Sequence, residues 1–117
     1  MQWFDCHAEF GRRVVPNPIQ CPTAGALAQL LGAIGVGQAL VTHAAHYEQH
    51  PAVGNARVIA ETREYPSLAP TWAILPPHTE EMGTVDAFLS AMAAAGVRAL
   101  WAYPEKHRYL LDMTTLG

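Results

Sequence analysis

The chain has 117 residues, of which half are apolar and 15% are charged, a composition typical of one globular domain and not of a disordered chain. Its net charge of -3 offers no basic surface to nucleic acid or to an anionic membrane, so we expect neither partner. Cys6 and Cys21 are too far apart for a CxxC pair, and no apolar run reaches membrane-spanning length, which predicts reduced thiols in a cytoplasmic protein.

The first stretch, 3–11, predicts a strand with two unlike faces, because side chains of an extended segment alternate between faces. Ionisable residues would project to one side: Asp5, His7 and Glu9. Apolar residues would project to the other side: Phe4, Cys6, Ala8 and Phe10. Charged groups are seldom buried without a partner, so three of them near a strand end indicate a functional site or a solvated mouth.

A proline-rich loop over 12–22 follows this strand. We interpret its Arg12 and Arg13 as a solvated pair, with a substrate clamp as the alternative. Thr23 is the candidate N-cap of a helix that ends at Gly35. The compact apolar run 39–42 then predicts a second, buried strand that ends at His43.

The second half of the chain repeats this alternation of helix and strand. After a loop over 44–54, Asn55 is the candidate cap of a helix that runs to about Tyr65. A third strand is predicted over 68–75 and a fourth over 97–103, separated by a helix that Thr84 caps and Gly96 ends. The tail from 105 onwards has loop character.

This order of elements predicts an α/β fold with about four parallel strands and three helices. Two architectures share the order, a doubly wound open sheet and a (β/α) barrel, and in both the functional groups collect at the carboxyl ends of the strands. Four histidines fall at or just beyond such ends, and we expect some of them to share one mouth: His7, His43, His78 and His107.

Several stretches also carry a resemblance to a known family. The first strand, FDCHAEFGR at 4–12, resembles the opening strand of metal-dependent hydrolases of the amidohydrolase superfamily, in the branch that includes decarboxylases related to aminocarboxymuconate semialdehyde decarboxylase. Four further stretches are similar to that family in the same order: LLGAIGVGQALV at 30–41, GN at 54–55, YPSLAPTW at 65–72 and GVRAL at 96–100. The resemblance covers nearly the whole chain.

The resemblance implies a (β/α)8 barrel that acts on a small organic substrate, with a divalent metal such as zinc or manganese at its mouth. The family binds this metal with an H-x-H pair on the first strand and with histidines and an aspartate from later strands. His7 matches the first histidine, but Glu9 stands at the second position. A carboxylate oxygen is an admissible ligand for these metals, so His7 and Glu9 are the candidate ligands.

The length of the chain is a second departure from the family pattern. A complete barrel needs about 250 residues, so the resemblance implies that 1–117 is the amino-terminal half of one barrel domain. The remaining ligands and the aspartate that would act as general base would then lie beyond 117. We expect such a half to be inactive alone and to self-associate, because it leaves strand edges and an inner face uncovered.

Two other interpretations of the sequence stay open. One is a non-catalytic barrel unit with a structural or interaction role, which the substitution at Glu9 favours. The other is a small doubly wound ligand-binding domain. A phosphate-binding version of that domain would need a GxGxxG or GxxxxGK(S/T) loop after its first strand, and Gly11-Arg12-Arg13 does not supply one.

Overall fold

The computed structural model describes residues 3–13, 21–75 and 81–107. Its first elements are strand β1 (Trp3–Phe10), helix α1 (Ala24–Ala33) and strand β2 (Val36–His43). Thr23 caps α1 as predicted, because its hydroxyl oxygen accepts a hydrogen bond from the Ala26 amide at 3.1 Å. Gly35 has a φ of 84°, a left-handed conformation that glycine adopts without strain and that turns the chain from α1 into β2.

The segment between the second and third strands contains two helices, α2 (Ala44–Glu48) and α3 (Pro51–Thr62), where a loop and one helix were predicted. The prediction that Asn55 caps a helix is wrong. His50 is the N-cap of α3, and Pro51 follows in the first turn, where proline is favoured because its missing amide hydrogen would be unpaired anyway. Asn55 lies buried inside α3.

The remaining elements are, in chain order, β3 (Leu68–Pro70), β4 (Trp72–Ala73), α4 (Val85–Ala94), β5 (Leu100–Trp101) and α5 (Pro104–His107). Thr84 caps α4 as predicted, since its hydroxyl oxygen accepts a hydrogen bond from the Ala87 amide. The fourth predicted strand, 97–103, is reduced to the two residues of β5. Pro104 begins a helical turn where the sequence predicted a loop. His78 lies outside the described residues.

All strand pairs are parallel, as predicted, with one sheet in the order β1-β2-β3 and a second sheet of β4 and β5. One extended segment joins the two sheets. The Thr71 amide donates to the Val41 carbonyl oxygen of β2, whereas the Trp72 amide donates to the Ala99 carbonyl oxygen beside β5. The spatial order is therefore β1, β2, β3 with β4, and β5. The described strands do not close into a barrel.

Helices α1 and α3 cover one face of this sheet. The core on that side contains buried side chains of the strands packed against both helices, chiefly Phe10, Val41 and Leu68 from the strands, Leu27 and Leu31 from α1 and Val58 from α3. Burial of side chains of this size stabilises the fold by roughly 1.5–3 kcal/mol each. Because strand side chains alternate between faces, the polar residues that lie between these core residues along the strands project to the opposite face of the sheet.

Candidate functional site

A β-bulge in β1 changes which of its side chains share a face. In the ladder to β2, Asp5 pairs with Ala39 and Ala8 pairs with Val41. Between these two pairs β1 therefore contains one more residue than β2, which is a β-bulge. Paired residues of parallel strands project to the same face. Ala39 and Val41 both lie in the helix-covered core, so Asp5 belongs to that face. The prediction that Asp5 shares the ionisable face is therefore wrong, because a period of two cannot reveal a bulge.

Beyond the bulge the predicted alternation holds. Glu9 pairs with Thr42 and projects to the face that α1 and α3 leave uncovered. The predicted apolar set divides into two buried residues, Ala8 and Phe10, and two exposed residues, Phe4 and Cys6. The apolar face of β1 thus exists only in its carboxyl-terminal part.

The first and last strands meet across the uncovered face. The imidazole ring of His7 stacks on the indole ring of Trp101 with centroids 4.3 Å apart. In a flat sheet, strands separated by three intervals lie about 14 Å apart, so this contact requires the sheet to curl. We therefore call the uncovered side the concave face. Trp101 Nε1 is buried there without a hydrogen-bond partner among the described residues.

Glu9 is held by an arginine at the edge of the concave face. Arg13 Nε and Nη2 each donate to one carboxylate oxygen of Glu9 at 2.7 Å, a bidentate geometry that is stronger than a single contact. The guanidinium also lies 3.9 Å from a carboxylate oxygen of Glu48 and 4.8 Å from the ring centroid of Tyr47. The hydrogen bond to Glu9 raises the pKa of Arg13, so the guanidinium is a permanent positive charge between two carboxylates.

A tyrosine beyond β5 completes this face. The phenol of Tyr103 forms a hydrogen bond with the Thr42 side chain, and burial together with the negative charge of Glu9 raises the Tyr103 pKa. Tyr103 is therefore neutral at pH 7. We name the residues that meet here the concave cluster: His7, Glu9, Thr42, Trp101 and Tyr103.

His43 lies on the other side of the sheet, away from the concave cluster. Its ring contacts Phe10 edge-on, its Nδ1 accepts a hydrogen bond from the Ala45 amide, and its Nε2 donates to Glu61 at 2.7 Å. Burial lowers the pKa of His43, an effect that Glu61 opposes. His43 thus caps α2 and anchors it to α3.

His46 is fully buried behind the carboxyl ends of the strands. Its Nδ1 accepts a hydrogen bond from the His43 amide at 3.1 Å, so Nε2 carries the proton and donates to Asn55 Oδ1 at 2.8 Å. The same oxygen accepts the Ala73 amide, and Asn55 Nδ2 donates to the Ala73 carbonyl oxygen. Burial lowers the pKa of His46 to about 4, and His46 is therefore neutral.

Of the four histidines predicted near strand ends, the three that the structure describes do not all meet at one mouth, although the ring of His107 contacts the ring of Tyr103 with centroids 5.6 Å apart. His7 lies on the concave face, His43 lies on the helix-covered face, and a ring nitrogen of His107 lies 3.1 Å from the His46 carbonyl oxygen. Among the described residues, no group of three histidine, cysteine, aspartate or glutamate side chains could hold a metal ion. The predicted ligand pair is therefore not extended by a third ligand within 3–13, 21–75 or 81–107.

Trp101 and Tyr103 had no predicted role in the site. Arg13 was interpreted as one of a solvated pair, with a substrate clamp as the alternative, and instead forms an ion pair with Glu9. Trp101 and Tyr103 were detectable in principle, because positions 101 and 103 of the predicted fourth strand share one face. Arg13 follows the strand by only three positions, yet nothing local shows that its guanidinium folds back onto Glu9.

In the part of the chain that the structure describes, no helix has both the length and the apolar character needed to cross a bilayer. Comparison with known proteins found no matching family model, no matching curated protein and no matching solved structure.

Proposed function

We propose that this chain is the amino-terminal part of a (β/α) barrel enzyme of the amidohydrolase type, which hydrolyses or decarboxylates a small organic substrate at the carboxyl edge of its strands. The observation that carries the proposal is the stacking of His7 on Trp101 at 4.3 Å. It brings side chains of the first and last described strands into one interior, as a barrel does.

The order of the strands also favours a barrel over a doubly wound sheet. In a doubly wound sheet the order reverses at a switch point, so a later strand is placed beside the first one. Here each successive strand is added on the same side of the array, and β1 pairs with β2 alone among the described strands. Further strands added in the same direction would bring the sheet round to β1 and close it into a barrel.

The concave cluster offers two groups for acid–base chemistry. Tyr103 keeps its proton at pH 7 and can donate a hydrogen bond to a substrate oxygen that gains negative charge. Glu9 can accept a proton or bind a cation once Arg13 releases its carboxylate. His7, two positions before Glu9 on β1, presents an imidazole stacked on the indole ring of Trp101.

A divalent metal, zinc or manganese, is the proposed cofactor, with His7 and Glu9 as its ligands on this chain. An imidazole nitrogen and a carboxylate oxygen are suitable donors. The described residues do not complete the site, because both oxygens of Glu9 are bonded to Arg13 and a third ligand is missing among them. A metal would have to displace Arg13 from Glu9, and we assign no step of the reaction to it.

The test is made on protein with a complete barrel, by measuring zinc and manganese content after dialysis and turnover of small amides, esters and aromatic carboxylates. We expect His7→Ala to lower metal content and turnover together, the latter by about 100-fold or more. Glu9→His should retain or strengthen metal binding, because imidazole is a good ligand and forms no salt bridge with Arg13.

Asp5→Asn is the matched control. It lies two positions from His7, belongs to the helix-covered face and keeps the Oδ1 atom that accepts the His7 amide. Its metal content and turnover should equal those of the wild type. If His7→Ala keeps the full complement of metal, or if the wild type neither binds metal nor turns over any of these substrates, the proposal is wrong.

A non-catalytic barrel unit is the second candidate, and the bidentate Glu9–Arg13 pair favours it. A carboxylate whose two oxygens are both held at 2.7 Å serves to fix the segment after β1. In that case Arg13→Gln would lower stability and leave metal binding absent.

A further inference from the structure

We infer that a second copy of this chain closes the curled sheet, with β1 of each copy pairing in parallel with β5 of the other. The inference rests on the barrel architecture of the proposed function and applies to 1–117 by itself, where no longer chain supplies the remaining strands.

Among the described residues, no strand pairs with the outer edge of β5. The carbonyl oxygens of Ala99 and Trp101 accept hydrogen bonds from the Trp72–Ile74 side. Backbone groups of successive strand residues point to opposite edges, so the amide and carbonyl of Leu100 point to the open edge. Within the described residues β5 pairs only with β4, and the Leu100 side chain is 37% exposed.

No strand in the described part of the chain pairs with the outer edge of β1 either. The Trp3 amide donates to the Gly35 carbonyl oxygen on the β2 side, so the amide of Phe4 points away from β2. The side chains of Trp3 and Phe4 are 65% and 58% exposed. Large apolar side chains on an unpaired edge strand are typical of a surface that associates with another strand.

The symmetry of the edges selects a second copy as the occupant. A two-fold axis parallel to the strands places β1 of each copy against β5 of the other, in the parallel direction that the whole sheet uses, and forms two identical ladders. Each copy contributes four strand positions, which gives the eight strands of a closed small barrel. Pairing of β1 with β1 would run antiparallel and leave both β5 edges open.

Closure would also complete the candidate site. The same axis brings a second His7 and a second Glu9 to one interior, whereas a single copy offers one of each. In such a dimer the second copy supplies the further histidine and carboxylate that the described residues of one copy lack.

The first test is the mass of the 12.7 kDa chain in solution by light scattering. We expect a dimer in the wild type. Phe4→Pro and Leu100→Pro each remove one open-edge amide donor and leave the inner ladders intact. Because each substitution acts in both ladders of the dimer, the dissociation constant should rise by about tenfold or more. Phe4→Ala and Leu100→Ala keep the amide and should weaken the dimer less.

The two proline variants together separate this geometry from other dimers. A dimer joined only through β1 should be weakened by Phe4→Pro and not by Leu100→Pro, and a dimer joined only through β5 should show the reverse. Pairing of β1 with β5 requires that both variants weaken the dimer. A proline variant that dimerises as tightly as the wild type would overturn the inference.

Hydrogen exchange of the wild type gives a second readout that does not depend on the variants. The Leu100 amide should become protected as the concentration rises through the dissociation constant, in step with amides of β1. A wild-type chain that stays monomeric at high concentration, or whose Leu100 amide stays unprotected in the dimer, contradicts closure. Either result would leave the His7 and Glu9 assignment standing, since metal content and turnover of a barrel completed by a longer chain decide that assignment.

Discussion

His46 is buried, and both nitrogens of its imidazole ring form hydrogen bonds. Nδ1 accepts the His43 amide and Nε2 donates to Asn55. A second proton would have to enter at Nδ1, where it would face an N–H donor instead of an acceptor and would place a charge in a fully buried position. The pKa of about 4 follows from this arrangement.

The pKa of His46 predicts how stability depends on pH. The unfolded imidazole titrates near 6.5, so between about pH 4 and 6.5 the unfolded state binds a proton that the folded state does not. The free energy of unfolding should have its full value above about pH 6.5 and should fall by about 3 kcal/mol as the pH is lowered to 4. His43, whose pKa burial also lowers, acts in the same direction. Urea unfolding at pH 7.5 and 4.5 measures the difference.

His46→Gln provides the control for this prediction. A glutamine amide offers an acceptor and a donor but does not titrate in this range. The variant should lose overall stability and show a shallower dependence on pH. An unfolding free energy of the wild type that is constant from pH 7.5 to 4.5 would show that His46 is not held neutral.

Helix α3 approaches α2 so closely that only glycine fits at one of its positions. A Cβ atom on Gly54 would lie 2.4 Å from His46 Cδ2 and 2.6 Å from the His46 backbone nitrogen. The backbone nitrogen cannot move without shifting α2 as a whole. Gly54 therefore sets the distance between the two helices.

Two glycine-to-alanine substitutions test this at the level of the helix. Gly54→Ala should lower the free energy of unfolding by about 3 kcal/mol, although alanine has the higher helix propensity. Gly32→Ala in α1 is the matched control, because nothing lies within 4 Å of its added Cβ, and it should raise stability by about 0.5–1 kcal/mol. Thermal or urea unfolding compares the two. Equal effects in both helices would contradict the close packing of α2 on α3.

The helix caps show which elements the sequence could predict. Thr23 and Thr84 were predicted correctly because a cap hydrogen bond closes within three residues and needs no tertiary contact. Asn55 has the same cap preference, but its partners are His46 and Ala73, which the fold brings to it from either side. Local patterning could not separate these two uses of one residue type.

At the scale of the whole molecule, the parallel direction of the strands could be predicted, because alternation of strands and helices allows little else. Their spatial order could not, because a doubly wound sheet and a barrel share the same order of elements along the chain. The curl of the sheet could not be predicted. It is visible only in a contact between His7 and Trp101, which are far apart in sequence. For the same reason the sequence could not predict that Trp101 contacts His7, whereas Arg13 lies only four positions from Glu9 and was missed because no local pattern shows that its guanidinium folds back.

The proposed barrel requires that the first and last described strands share one concave face. Nuclear Overhauser measurements between the His7 imidazole and the Trp101 indole test it directly. We expect strong cross-peaks between the two rings, which Trp101→Leu removes while cross-peaks between β1 and β2 remain. A folded wild-type sample that shows the β1–β2 cross-peaks but none between His7 and Trp101 would contradict the curled sheet and the site built on it.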